Sequence, residues 1–371
     1  MYQVLYKNIH VFDYEPSNGF VKIINDKYMP FDIYMEEGDD FDTRLQNITN
    51  FNSWCSERIL PLDREYIKEI LNYYDFSQAT SDKERAKIAI ACRCLSLNDC
   101  FWIKTSDEDI TWKDVNLFEN TLKNSVFEVA LFGKSFTITS KELSASDLTT
   151  GGKAPKAWQR IGAEFYLLKG DKNNSVTKEV EASQILNELG FENIGYNKDI
   201  FRGEVVSKCK CFTTESINLV KAKWFEIWCM NHNTSISDYI TTYSTHFDRM
   251  NLADYLIGNN DEHALNWGFM YDNNMNIISM SPLMDYDHAF ESSIVSECLP
   301  TRYLGKRITQ LDIAMEIVKS HPDWLKTDVD LSKYEYGAFV KERIMTLEKE
   351  LKIHNQSNDD PDSDDFTGIG Y

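Results

Sequence analysis

Between Asp254 and Phe290 the chain reads DYLIGNNDEHALNWGFMYDNNMNIISMSPLMDYDHAF, and this segment restricts the fold more than any other. It sets Asp261 and Asn266 five residues apart in a short polar loop. Asn266–Tyr271 and Asn276–Ser281 then predict a hairpin around Asp272-Asn273-Asn274. A second acidic cluster, Asp285-Tyr286-Asp287, follows directly. If that cluster is extended, its two carboxylates project to opposite sides, so one faces the loop and the other turns away or supports it.

The spacing D-x-x-x-x-N suits phosphoryl transfer. There an Asp takes the proton of the attacking hydroxyl, and an Asn and a later Asp hold magnesium against the phosphate oxygens. A short loop can aim the base at the acceptor while its far end reaches the metal. His263 lies inside the loop and is read as shaping the turn rather than as a base.

Phosphate also needs gripping groups. No G-x-x-x-x-G-K-[ST] occurs, so a P-loop is excluded. The run Thr149-Thr150-Gly151-Gly152-Lys153-Ala154-Pro155-Lys156 offers unobstructed backbone N–H groups and two cations. Lys169 ends an apolar strand whose Phe165, Leu167 and Lys169 share a face, which makes it the candidate phosphate lysine. Glu179 and Glu181 compete as its partner, and on a helical projection Glu179 lies closer to the buried stripe.

With 371 residues the chain has room for two domains or one two-lobed domain. No stretch reaches 18 consecutive apolar residues, and the start MYQVLYKNIHVFDY lacks a secretory signal pattern. A cytoplasmic protein without membrane contact is expected. The net charge of −20 disfavours direct nucleic-acid binding, which needs a basic surface to displace counterions. Cys92/Cys94 and Cys209/Cys211 form C-x-C pairs without further ligands at metal spacing, so the eight cysteines read as free thiols.

Along the chain, helices are expected at Asp63–Tyr74 and Lys83–Cys94, and a strand with a Gly-centred turn at Phe127–Thr139. A strand ending at Lys169, a helix over Thr177–Leu189 stopped by Gly190, and a strand over Glu204–Phe212 give a β–helix–β order. From Ser216 onward the pattern turns helical, through Trp224–Met230, Ile236–Ile257, Thr309–His321 and Leu331–Lys352. This divides the chain into a mixed extension (1–130), a small lobe (131–213), a helical lobe (214–353) and an acidic, disordered tail (354–371).

The segments GNNDEHALNWG at 258–268 and SPLMDYD at 281–287 resemble the HipA-like serine/threonine kinase family. GGKAPK at 151–156, YLLK at 166–169 and the Lys178–Gly190 helix follow in the family's order. The resemblance implies an α/β (α+β), two-lobed, protein-kinase-like fold binding ATP and Mg2+. It makes Asp261 the catalytic Asp and makes Asn266 and Asp285 the metal ligands. Lys169 would hold the nucleotide phosphates, and Gly151, Gly152, Lys153 and Lys156 would form the phosphate-binding loop. Glu179 and His263 complete the nucleotide site. A protein Ser/Thr hydroxyl would be the acceptor, and an antitoxin-type protein a partner. Glu262 stands where the family commonly has arginine, and Thr149 falls near a regulatory serine of some members. Two other readings compete: a catalytically silent nucleotide-binding regulator, and a metal-dependent hydrolase built on Asp261, His263, Asp285 and His288.

Overall fold

The chain opens with two strands, YQVLY and IHVFDYE, whose buried residues are all apolar or aromatic but for Asp13. In the computed structural model, which describes residues 1–59, 81–120, 155–201, 203–291 and 293–358 (side chains to 353), these are β1 (Tyr2–Tyr6) and β2 (Ile9–Glu15). With β3 (Phe20–Ile23) they form a meander. Helix α1 (Phe41–Glu57) starts where the Asp40 carboxylate accepts from the Thr43 N–H. Helix α2 (Asp82–Ala91) starts in a capping box between Ser81 and Glu84. Strand β4 (Phe101–Thr105) then pairs with β1, giving the antiparallel order β3-β2-β1-β4, and a short helix α3 (Trp112–Val115) follows. Among these elements Arg58 and Asp99 form a buried ion pair at 2.6 Å, and Arg58 also donates to the Cys94 carbonyl.

A second antiparallel sheet, β5-β6-β8-β7, comes from β5 (Lys156–Ile161), β6 (Glu164–Gly170), β7 (Tyr196–Phe201) and β8 (Glu204–Lys210). Helix α4 (Ser175–Leu189) joins β6 to β7 and stops at Gly190, whose φ of +89° costs a glycine nothing. Three further strands, β9 (Ile217–Lys221), β10 (Gly268–Asp272) and β11 (Ile277–Met280), form the sheet β11-β10-β9. It packs among helices α5 (Ala222–Asn231), α6 (Ile236–Thr242), α7 (Ser244–Ile257), α8 (Gln310–Ser320) and α9 (Gly337–Asn358). The result is mixed α+β, with strands concentrated in the first 210 residues and helices after them.

Two apolar cores hold this together. One runs from Val4, Phe51 and Trp102 to Ala157, Phe165, Leu168 and Val206, so residues before 120 and the β5–β8 sheet share one interior. The other unites α4 with the helical lobe through Ile185, Leu186, Phe225, Tyr255 and Val340. Phe31 crosses between them, edge-on against Phe225, Trp228 and Tyr271 at 5.0–5.5 Å. Truncating one such buried aromatic to alanine costs about 3–5 kcal/mol. Polar ties run alongside: Tyr6 Oη donates to Asn273 and accepts from Asn218, and Leu219 N–H donates to the Asn98 carbonyl at 2.7 Å.

The expected helix at 63–74, the strand at 127–139 and the loop residues 149–154 lie outside the described residues. The last helix continues to Asn358, beyond the point where the acidic tail was expected to begin. On β6, Phe165 joins one core with Leu168, while Leu167 packs against the other. All eight cysteines are free and seven are buried. Among the described residues no helix is long and apolar enough to cross a membrane.

Candidate active site

Strand register sets the phosphate-side cations. Lys156 on β5 lies directly opposite Lys169 on β6, which lies opposite Ser207 on β8. Like charges placed opposite one another repel, so this row needs anions nearby. Lys169 is 6% exposed and has two: Glu179 on α4 and Asp285. It donates to Glu179 in a short contact and to Asp285 Oδ1 at 2.7 Å. Glu179, also buried, accepts from Ser207 Oγ at 2.5 Å. Glu181 turns away and instead accepts from the backbone N–H groups of Glu335 and Tyr336. Burial alone would strip the Lys169 proton, but Asp285 and Glu179 outweigh it and hold the ammonium well above the ordinary lysine range. Burial pushes the Glu179 carboxyl upward against the pull of Lys169.

Asp285 has φ of +67°, a strained conformation for a residue with a Cβ. Tyr196 helps to fix it: its hydroxyl accepts from the Asp285 N–H at 3.3 Å, its ring packs on Tyr286, and Lys169 Nζ sits 5.2 Å from its centroid. Enclosure works against the Asp285 charge, yet Lys169 and then Lys156 hold its carboxyl well below the usual carboxylate range.

The Asp261–Asn266 loop follows α7, which ends at Gly258 with φ of +64°. Asn266 Nδ2 donates to the Asp261 carbonyl at 3.0 Å, and Asn266 N–H donates to the His263 carbonyl at 2.8 Å. The turn is therefore closed by the backbone of His263, while its side chain is exposed. Asp261 is exposed too, whereas Glu262 is buried. Burial, then Asp254 and Asp285, push the Glu262 carboxyl up, and Lys221 at the end of β9 opposes this. Burial opposes the charge on His288, but its bond with Glu291, then Asp287 and Asp261, raise its pKa.

Magnesium takes hard oxygen ligands and few of them from protein, with phosphates supplying others. Among the described residues, Asn266 Oδ1 and Asp285 Oδ2 accept no hydrogen bond, because Nδ2 and Oδ1 carry those side chains' contacts. Both atoms suit that metal. No group of three or more His, Cys, Asp and Glu among the described residues is placed to hold a metal, so Asp261, His263, Asp285 and His288 do not assemble a hydrolase cage. A hollow of about 500 Å³ between Phe31–Tyr34, Trp54 and α5 contains none of these site residues.

Gly151, Gly152 and Lys153 lie outside the described residues, and Lys156 is the first of the loop's cations to be placed. Tyr196, Ser207 and Lys221 were not singled out in the sequence. Ser207 sits two residues before the Cys209/Cys211 pair, and only strand register reveals it as Lys169's neighbour.

No family model matches the sequence. The serine/threonine-protein kinase CtkA of Helicobacter pylori strain J99 is 27% identical over 148 residues, covering 33% of this chain and 46% of that protein. The chain thus spans about half the length of this curated relative. Among solved structures, HipA in the Shewanella oneidensis MR-1 toxin–antitoxin complex of HipA, HipB and operator DNA aligns over 97% of this chain and 99% of its own. Its TM-score is 0.53 at 13% identity. The Helicobacter pylori proinflammatory kinase CtkA aligns over 55% of this chain and 94% of its own, with TM-score 0.40 and 18% identity. At 97% coverage the HipA alignment includes most of the 1–130 stretch that was expected to be an extension of unknown role. The chain resembles the HipA-like kinases, in sequence over a third of its length and in fold over nearly all of it.

Proposed function

We propose that this protein is an ATP- and magnesium-dependent kinase that transfers the γ-phosphate to a serine or threonine hydroxyl of a protein. The observation that carries this reading is Lys169, buried and gripped by Glu179 on one side and Asp285 on the other. A lone lysine at such a depth would lose its charge, whereas these two carboxylates keep the ammonium available for phosphate. Nucleotide phosphates relieve the Lys156–Lys169 repulsion and compete for Lys169, freeing Asp285 for other work. The Gly151-Gly152-Lys153 sequence would add backbone N–H donors and a further cation for the same phosphates.

Asp261, exposed at the mouth of its loop, accepts the proton as the acceptor hydroxyl oxygen bonds to the γ-phosphorus. The bond from that phosphorus to the β,γ-bridging oxygen breaks, and ADP departs with the electron pair. Asn266 and Asp285 would hold magnesium, which when bound would neutralise phosphate charge. Glu179 orients Lys169, and His263 frames the loop. An antitoxin-type protein partner forms part of the proposal, on the ground that the HipA structure was solved with HipB and DNA.

Incubation with Mg–ATP followed by mass spectrometry tests this. Phosphate on Ser or Thr, of this chain or of an added protein, supports the reading. No transfer by the wild type, or equal transfer by Asp261→Asn, refutes it.

A further inference from the structure

Beneath the Asp261–Asn266 loop lies a small hollow lined by Met250, Asp254, Glu262, Trp267, Leu283 and Tyr286, among others. Three polar atoms on its walls are buried and have no hydrogen-bond partner among the described residues: Asp254 Oδ2, Trp267 Nε1 and Tyr286 Oη. Their residues are 3%, 2% and 2% exposed. Leaving one such group unpaired costs about 1–3 kcal/mol, so three around one space is an arrangement that demands a shared partner. The space open to the centre of a water molecule is about 10 Å³, roughly what a single water needs.

The positions are not scattered. Glu262 follows Asp261, Trp267 follows Asn266, and Tyr286 follows Asp285. The hollow therefore touches the immediate successor of each of the three site residues. The fourth wall, Asp254, belongs to α7 and already accepts from Asn259 Nδ2 through its other oxygen at 3.0 Å.

We propose that this hollow is the site of one buried water molecule, bound by Asp254, Trp267 and Tyr286 beside the Glu262 wall, which ties Asp261, Asn266 and Asp285 into one geometry from below. Water is the ligand that the donor set selects. Trp267 can only donate, a carboxylate accepts, and the Tyr286 hydroxyl does either. A metal cation would leave the Trp267 N–H unpaired, and an anion would meet two carboxylates. Burial pushes the Asp254 carboxyl up to about 8, and a water serves that group in either protonation state because it both donates and accepts. Asp254, Trp267 and Tyr286 are then positioning residues, a role that rests on the kinase reading, whereas the water itself does not.

A crystal structure of the full chain, at a resolution that shows ordered water, tests the site. One peak within hydrogen-bond distance of Asp254 Oδ2, Trp267 Nε1 and Tyr286 Oη is expected. An empty hollow, or the three groups bonded directly to each other, overturns it. For positioning, Trp267→Phe and Tyr286→Phe each remove one bond with little change of shape. Each should lower kcat about tenfold with KM for Mg–ATP held within about twofold. Because both act through one water, the double variant should lose no more than about the same tenfold. A multiplicative loss of about a hundredfold overturns the shared water, and unchanged kcat in both single variants overturns the positioning. If the wild type transfers no phosphate, the positioning role falls with the kinase reading, while the electron density still decides the water.

Discussion

Lys169→Met keeps the aliphatic stem of the buried lysine and deletes its charge, so it isolates what the cation does for the fold. Two charge-assisted hydrogen bonds disappear. Asp285 keeps 31% of its side-chain surface, and water can replace its lost partner. Glu179 keeps 1% and retains only the Ser207 hydroxyl. Most of the penalty therefore falls on Glu179. Breaking a buried pair by removing one member costs about 3–5 kcal/mol, and the lower end, about 3 kcal/mol, fits a site where one carboxylate is half rescued by solvent. The pH dependence has a definite sign. The Glu179 carboxyl is already raised by burial, and without Lys169 it rises further above its unfolded value of about 4.3. Between those two values the folded chain binds more protons than the unfolded one, so the variant's stability increases as pH falls. The raised Lys169 pKa contributes its stability at every pH below the ordinary lysine range and adds no slope there. The deficit against wild type should accordingly shrink between pH 7.5 and pH 5. Urea melts followed by tryptophan fluorescence at both values measure it. A loss under about 1 kcal/mol at pH 7.5, or one that grows on acidification, refutes the reasoning.

Asp261→Asn should abolish phosphoryl transfer while leaving Mg–ATP affinity within about twofold, since the base serves the acceptor hydroxyl; calorimetric titration of nucleotide beside an activity assay separates the two. Asp285→Asn should weaken magnesium-dependent nucleotide binding about tenfold or more, and the same effect from Asp287→Asn instead would move the metal ligand by two residues. Gly268→Ala should destabilise the chain by about 1–3 kcal/mol in a thermal melt, because the added Cβ would lie 2.1 Å from the Val220 carbonyl oxygen across β9 and β10. Tryptic cleavage after Lys153 should slow in the presence of Mg–ATP, and an unchanged rate would remove the loop from the phosphate site.

Much of the second half was legible because its signals are local. The α4 helix carries Ile185, Leu186 and Leu189 at helical spacing and ends at a glycine, and the 268–280 hairpin is marked by Asp272-Asn273-Asn274. Asp272 accepts from the N–H groups of Asn274 and Asn276, which is why that turn reads so clearly. The first sheet was missed for the opposite reason. In β1 and β2 adjacent residues such as Leu5 and Tyr6, or Val11 and Phe12, are buried together, so no alternation signals a strand. Helix α1 shows a weak pattern, with Phe41 and Leu45 exposed and Asn47 buried against backbone carbonyls. At the site, Lys169 and Glu179 were readable from strand end and helix face. Ser207, Tyr196 and Lys221 were not, because their approach depends on strand register and on how the lobes close, which no local pattern encodes. The burial of Glu262 was likewise invisible: a charged residue in a polar loop gives no sign that it turns inward beneath Asp261.

The most direct test of the kinase reading is a structure of the chain with magnesium and a non-hydrolysable ATP analogue. The triphosphate is expected beside Lys156 and Lys169, the metal on Asn266 Oδ1 and Asp285 Oδ2, and Asp261 facing the γ-phosphate from the acceptor side. A cleft that stays empty at saturating nucleotide, or a nucleotide bound away from Lys169, would contradict that reading.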